Sequence, residues 1–187
     1  MEKTTLLISF LVFNLTIFAQ SDKMGSFTDS RDGQVYNYIK IGKQVWMAEN
    51  LNYNPGSGSW CYDEDSSNCK TYGRLYDWET AISVCPAGWH LPSKREFKIL
   101  LRNYSGESRE AHDALIKDGV SGFNAILGGW RSHNGHFMSK DGYDHFWSSS
   151  EYDAFGVWYL DVSSLHRYSA MGILNKFFGF SVRCVRD

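Results

Sequence analysis

Hydrophobic residues in the middle of the chain recur at helical spacing. Between Tyr72 and Ser93, the apolar residues Leu75, Trp78 and Ile82 lie three and four positions apart. This spacing predicts a short amphipathic helix with one apolar face. The Pro86-Ala87-Gly88 segment follows, and it ends the helix because proline cannot donate a backbone hydrogen bond.

Two further helices are predicted downstream. Ser93 and Glu96 have the spacing of a capping box, which begins a second helix. Its buried stripe is predicted to contain four residues: Phe97, Leu100, Leu101 and Tyr104. Ser108 is a candidate cap for a third helix that runs through Lys117 and ends at Gly119.

Strand-like alternation marks both ends of the chain. Turns at Asp32-Gly33 and Gly42-Lys43 delimit a segment that predicts a hairpin strand, and Gln44 to Met47 is its partner. On one face of the first strand the pattern places Val35, Asn37, Ile39 and Ile41, and on the other Tyr36, Tyr38 and Lys40. The principal late strands are predicted at Tyr143–Ser149, Val157–Val162 and Phe178–Val185.

The order of these elements predicts the fold class. Residues 52–70 predict a loop, and helices near the front are followed by strands rich in glycine and aromatic residues. Helices segregated from strands in this way indicate an α+β domain. We expect the N- and C-terminal strands to meet in one sheet.

The first residues predict export. Lys3 precedes an apolar run from Leu6 to Phe18, and Ala19 is a small residue suited to signal peptidase. The run is short for a membrane span, which needs about 20 apolar residues. We therefore predict a signal peptide at 1–19, with a retained signal anchor as the alternative, a flexible lead-in at 20–27 and one domain at 28–187. The mature protein is expected to be secreted or held at the cell surface, without spanning the membrane.

Charge and composition exclude some partners. The chain has 19 Lys and Arg against 21 Asp and Glu, which gives a net charge of −2. Without a basic stripe to neutralise phosphates, it is not expected to bind nucleic acid. The aromatic content is high, with 7 Trp, 11 Tyr and 12 Phe; part of these residues must form the core, and part could form a stacking surface.

The four cysteines predict disulfides, because an even number is typical of exported proteins. Three pairings are possible. Cys61 and Cys69 bracket a short polar loop, which a local bridge would close, and Cys85 would then pair with Cys184. A four-cysteine zinc site is the alternative, but the sequence lacks the C-x-x-C pairs that such sites use.

Catalytic and metal motifs are weak. His133, His136 and His145, with Asp141 and Asp144 between them, could be imagined as a metal cluster, but loop histidines are more often solvated. The serines at 148–150 lack the glycines of a nucleophile elbow. The carboxylates do not single out an acid–base pair: Glu49, Asp77, Glu79, Asp144, Glu151 and Asp161. We predict no catalytic residue, no metal and no cofactor.

The best binding candidate is the segment 130–145. It combines aromatic rings, which stack on sugar faces, with planar polar groups, which bond hydroxyls. The predicted ligand-binding residues are Trp130, Arg131, His133, Asn134, His136, Tyr143 and Asp144. Such a surface could also supply hot spots for a protein ligand. Burial of the rings beneath the loop is the alternative.

Four segments resemble the motifs of a known family. TDSRDGQVYNYIKIGKQVWMAENL, YGRLYDWETAISVCPAGWHLPS, FWSSSE and GFSVRCVRD are similar to those of the Fibrobacter succinogenes major paralogous domain. The resemblance covers residues 28–187. It implies export and a fold of the C-type lectin-like superfamily, with terminal strands side by side. It also implies a bridge from the first helix to the last strand, in agreement with Cys85–Cys184.

Departures from that superfamily narrow the function. The prolines, at 55, 86 and 92, form none of the E-P-N or Q-P-D triplets of calcium-dependent lectins, and Trp147 is followed by Ser148 rather than by N-D. The formylglycine-generating enzymes share distant fold features with this superfamily, but their chemistry needs a reactive cysteine pair. If all four cysteines form disulfides, no thiol remains for that chemistry. We therefore expect a non-catalytic recognition module that binds a glycan or cell-surface protein without calcium. An enzyme acting on extracellular polysaccharide and a purely structural surface module are the alternatives.

Overall fold

The computed structural model describes residues 23–187, so the predicted signal peptide and the start of the lead-in lie outside the described residues. The helices are α1 (Ser66–Tyr72), α2 (Trp78–Ala81), α3 (Lys94–Arg102) and α4 (Arg109–Leu115). The early strands are β1 (Met24–Thr28), β2 (Val35–Ile41), β3 (Gln44–Met47), β4 (Ser59–Trp60), β5 (Leu75–Tyr76) and β6 (Trp89–His90). The late strands are β7 (Trp130–Arg131), β8 (Phe137–Met138), β9 (Tyr143–Glu151), β10 (Gly156–Ser163), β11 (Tyr168–Asn175), β12 (Phe180–Ser181) and β13 (Val185–Arg186).

The strands form three sheets. One has the order β1-β2-β3-β13-β6, a second has the order β11-β10-β9-β12-β5-β4, and β7 pairs with β8. The α+β class is confirmed, as is the prediction that N- and C-terminal strands share a sheet. The predicted strand at Phe178–Val185 is in fact two short strands, β12 and β13, which belong to different sheets.

The predicted hairpin is confirmed, but its side chains face two cores rather than one. Tyr36 and Met47 belong to one buried cluster, whereas Ile39 and Trp46 belong to another. Val35, predicted on the same face as Ile39, is 58% exposed. A sheet buried on both faces does not show simple hydrophobic alternation.

The second helix, its capping box and the buried residues Phe97, Leu100 and Leu101 are confirmed, but Tyr104, predicted in the same stripe, lies beyond the end of α3 and is half-buried. The Ser93 side chain accepts a hydrogen bond from the backbone N–H of Glu96, and the Glu96 carboxylate accepts one from the N–H of Ser93. The third helix is capped by Ser108 as predicted, but it ends at Leu115 rather than at Lys117. Beyond it the chain becomes extended, and the N–H of Lys117 bonds to the carbonyl of Ala125.

The first predicted helix is shorter than its apolar spacing indicates. Leu75 lies in β5, which pairs with β4 and β12. The helix begins after Asp77, whose carboxylate caps it by accepting from the N–H of Thr80. Ile82, predicted on the apolar face, is 42% exposed. Strand pairing of Leu75 thus overrides the helical spacing.

Two segments predicted without regular structure contain elements. Met24–Thr28 in the predicted flexible lead-in forms β1, which pairs with β2. The predicted loop at 52–70 contains β4 and most of α1, whose cap is Asp65. Strand β11, which pairs along its whole length with β10, was not among the predicted strands.

Two disulfides join Cys61 to Cys69 and Cys85 to Cys184, and the described chain contains no free cysteine. This confirms the predicted pairing and indicates an oxidising compartment. Among residues 23–187, no helix has the length and apolar character needed to cross a membrane.

Candidate functional site

The candidate segment begins with a tight hairpin formed by β7 and β8. Buried Ser132 organises its turn, because its hydroxyl accepts a hydrogen bond from the backbone N–H of His136 and donates to the carbonyl of that residue. Gly135 adopts a φ of +92°, which glycine tolerates. The turn therefore projects His133, Asn134 and His136 into solvent, where all three are exposed.

Backbone pairing fixes this hairpin beside the start of β12. Arg131 and Gly179 exchange two hydrogen bonds of 2.8 Å each. This pairing brings Trp130 next to Phe178, with ring centroids 5.6 Å apart, and His133 meets Phe178 edge-on at the same distance. Residues far apart in sequence thus form one surface.

A cleft of about 490 Å³ opens at this junction. Its lining consists of Trp130, Ser132, His133, Asn134, His136, Met138 and Phe178. Four of the seven predicted ligand-binding residues are therefore brought together: Trp130, His133, Asn134 and His136. The cleft offers half-buried aromatic rings and, at its rim, amide and imidazole groups.

Arg131 packs against aromatic rings outside the cleft. Its guanidinium carbon lies 4.1 Å from the centroid of the Trp60 ring and 5.9 Å from that of Phe137. Stacking of this kind orients the cation and leaves its edge free for hydrogen bonds. Arg131 is absent from the lining of the cleft, although it was predicted as a ligand contact.

Asp144 lies in the interior, which corrects its prediction as a surface ligand. It is 0% exposed, and its carboxylate accepts hydrogen bonds from the Ser181 hydroxyl at 2.9 Å and the Asn50 amide at 3.4 Å. Burial raises the pKa of this carboxyl, while the charge of Arg183 opposes the rise. A carboxylate satisfied in this way stabilises the core rather than a ligand.

Tyr143 also lies apart from the cleft, packed against histidine rings. Its ring centroid is 5.7 Å from that of His145, which is 7% exposed. His145 in turn lies 6.0 Å from Trp130 and 4.8 Å from Phe180, and its Nε2 is 3.2 Å from a carboxylate oxygen of Asp161. This buried layer holds the Trp130 ring in position from below.

A second cavity, of about 590 Å³, adjoins the cleft. His133 lines both cavities. The other residues of the second are Trp60, Asp77, Glu79, Ala154, Phe155, Asn175, Lys176 and Phe177. None of these was predicted as a ligand contact. The aromatic run Phe177-Phe178-Gly179-Phe180 was the sequence signal that could have identified part of this surface.

Sheet topology explains how the second cavity is assembled. Strands β12, β5 and β4 are neighbours, and the loops at one end of them meet. The backbone N–H of Asp77 donates to the carbonyl of Gly58. The N–H of Trp78 donates to the carbonyl of Lys176, and the N–H of Lys176 donates to the carbonyl of Phe155. The loops that carry Phe155, Phe177 and the Asp77 carboxylate are thereby fixed to one another.

Another depression lies at the hairpin sheet. Cavities of about 380 Å³ and 600 Å³ share the residues Ala48, Glu49 and Asn124. The Glu49 carboxylate already accepts hydrogen bonds from the backbone and side chain of Asn37, at 2.9 Å and 2.7 Å. Tyr36, Tyr38 and Tyr72 line this depression, but they do not contact one another as Trp130 and Phe178 do in the cleft, so it is the weaker candidate for a sugar.

The described residues offer no assembled metal centre. Within 23–187, no group of three or more His, Cys, Asp or Glu side chains is arranged to hold a metal ion. The imagined cluster of His133, His136 and His145 is divided, because two of these side chains are exposed and His145 is buried.

Comparison with known families gives one result. The profile of the Fibrobacter succinogenes major domain matches residues 39–186, which is most of the chain. Comparisons with curated proteins and with solved structures give no match.

Proposed function

The chain belongs to the Fibrobacter succinogenes major domain family, and from its cleft we propose that it is an exported, non-catalytic domain that binds a glycan at the bacterial cell surface. The observation that carries the proposal is the pairing of Trp130 and Phe178 in a cleft edged by His133, Asn134 and His136. Aromatic faces match the apolar faces of sugar rings, and the rim groups match their hydroxyls.

The chemistry of the cleft lining supports recognition without hydrolysis. Glycoside hydrolysis uses two carboxylates that flank the scissile bond. The described residues that line the cleft include no carboxylate, and Asp144, the one carboxylate among the predicted ligand-binding residues, is buried in the interior. Calcium dependence is not part of the proposal, because the lectin triplets are missing from the sequence.

Two disulfides and the apolar N-terminal run support the export in this proposal. The lectin-like fold is likewise proposed on the basis of the motif resemblance. Its supporting features are the sheet that the N-terminal strands share with β13 and the bridge that fixes Cys85, just after α2, to Cys184, just before β13.

A glycan array tests the proposal. The full chain, produced in an oxidising compartment so that both disulfides form, is applied with calcium and with EDTA. We expect binding to one class of glycan that EDTA leaves unchanged. Binding abolished by EDTA would contradict the calcium-independent mode, and the absence of any bound glycan would contradict glycan recognition and favour a protein ligand.

A further inference from the structure

The second cavity exposes aromatic side chains that the core does not require. Phe155 is 72% exposed and Phe177 is 69% exposed, and both line this cavity with Trp60. Large exposed aromatic groups on one concave surface mark binding sites more often than scattered single residues do. Because His133 lines the second cavity and the cleft alike, one ligand could contact both.

The charge of this cavity distinguishes it from the cleft. Two carboxylates line it, those of Asp77 and Glu79. Lys176 also lines it, but the Lys176 ammonium lies 2.7 Å from the Glu151 carboxylate and 4.4 Å from the Trp78 ring centroid. Its charge is thus compensated locally. Arg131 contacts the Trp60 ring but is not among the residues that line the cavity.

The two carboxylates are placed differently. Asp77 is held in position, because one oxygen accepts a hydrogen bond of 2.8 Å from the N–H of Thr80. Its other oxygen lies so close to Gly58 that a Cβ added at position 58 would be 3.0 Å from it. Glu79 is exposed and makes no hydrogen bond or ion pair within the described part of the chain. An incoming cation could therefore pair with Glu79 without displacing a partner.

We propose that the second cavity binds the protonated amine of an amino sugar whose neighbouring sugar unit occupies the cleft. An ammonium group is attracted to aromatic faces and forms charge-assisted hydrogen bonds with carboxylates. Phe155 and Phe177 supply the faces, and Glu79 supplies the free carboxylate. This inference rests on the proposed glycan recognition and assigns its ligand class: an oligosaccharide that contains glucosamine units.

Paired oligosaccharides test the assignment. The affinity of the full chain is measured by calorimetry at pH 6 for a β-1,4-linked glucosamine tetramer and for its fully N-acetylated counterpart. We expect the amine form to bind about fivefold more tightly, an effect typical of a partly exposed charge pair. Glu79→Gln should remove this preference and leave the affinity for the acetylated form unchanged.

Glu110→Gln is the matched control, since Glu110 is also an exposed glutamate in the first turn of a short helix. It should bind both tetramers as the unchanged protein does.

Equal affinities for the two tetramers, or a preference that survives Glu79→Gln, would overturn the inference while leaving glycan recognition intact. An oligolysine of equal charge that binds as tightly as the amine tetramer would overturn its assignment to a sugar. Failure of both tetramers to bind would also overturn the inference. If the array shows another bound glycan, glycan recognition stands; if the array shows none, glycan recognition fails as well.

Discussion

Arg183 and Asp144, both fully buried, are joined through the side chain of Asn50 rather than by a direct ion pair. The Asn50 carbonyl oxygen accepts from Arg183 Nε at 3.1 Å, and its amide nitrogen donates to Asp144 at 3.4 Å. Burial lowers the pKa of Arg183 to about 10, while Asp144 opposes this change, so the guanidinium stays charged at neutral pH. A single amide thus connects two charges in the core.

Asn50→Ala should therefore destabilise the protein strongly. The substitution leaves both charged groups short of hydrogen-bond partners in the interior, and we expect a loss of about 3 kcal/mol in the free energy of unfolding. Chemical denaturation measures the loss. Asn54→Ala, at an exposed loop position, is the control and should cost less than 1 kcal/mol. Similar losses for the two variants would show that the buried network contributes little.

The two disulfides should contribute unequally to stability. Cys85–Cys184 spans a sequence separation of 99 residues and Cys61–Cys69 one of 8. Loop-closure entropy then predicts that the free energy of unfolding falls by roughly 4–5 kcal/mol without Cys85–Cys184 and by roughly 2–3 kcal/mol without Cys61–Cys69. Replacing both cysteines of each pair by serine, followed by urea denaturation, compares them. A loss from the Cys61/Cys69 variant that equals or exceeds the other would refute this order.

His90 should make stability depend on pH. Its ring nitrogens lie 2.8 Å from Glu96 and 2.5 Å from Asp187. Burial acts to lower its pKa, but the hydrogen bonds to Glu96 and Asp187 outweigh burial, so the pKa is raised. Because the folded-state pKa exceeds the unfolded value of about 6.5, this stabilisation is complete below that pH and is lost as pH rises through the folded-state pKa.

The His90→Gln variant checks the sign of this dependence. Thermal unfolding is recorded at several values between pH 5 and pH 8.5. The unchanged protein should lose more stability over this interval than the variant does. Parallel pH profiles would mean that the contacts of His90 with the two carboxylates do not contribute.

The fold was predictable where the sequence carries a local chemical signal. The capping box of Ser93 and Glu96 requires no tertiary contact, and α3 begins where it predicts. Leu75 was assigned to a helix because it lies three positions before Trp78, but the short apolar run Leu75-Tyr76 is equally compatible with a buried strand. Pairing with β4 and β12, which sequence does not reveal, decides between them.

Strand β11 escaped prediction because it contains Gly172. Glycine weakens the sequence pattern of a strand. At position 172, however, the Cβ of any other residue would lie 2.5 Å from the Tyr159 ring on the neighbouring strand β10. The packing that favours this glycine depends on a partner that is distant in sequence. A local pattern therefore carries no trace of it.

The candidate site was predictable in part for similar reasons. The turn residues His133, Asn134 and His136 are polar and close in sequence, and they do share a surface. Phe178 joins them only through the pairing of Arg131 with Gly179. Asp144 was wrongly predicted as a ligand contact because its buried partners, Asn50 and Ser181, come from remote parts of the chain.

The central claim is tested most directly by calorimetric titration of Trp130→Ala with the tightest glycan from the array. We expect the affinity to fall by about tenfold or more, because the substitution removes an aromatic face of the cleft. Trp158→Ala is the matched control, since Trp158 is a half-buried tryptophan outside the cleft, under the ammonium of Lys94. It should bind as the unchanged protein does. Undiminished binding by a correctly folded Trp130→Ala variant would contradict glycan recognition at this cleft.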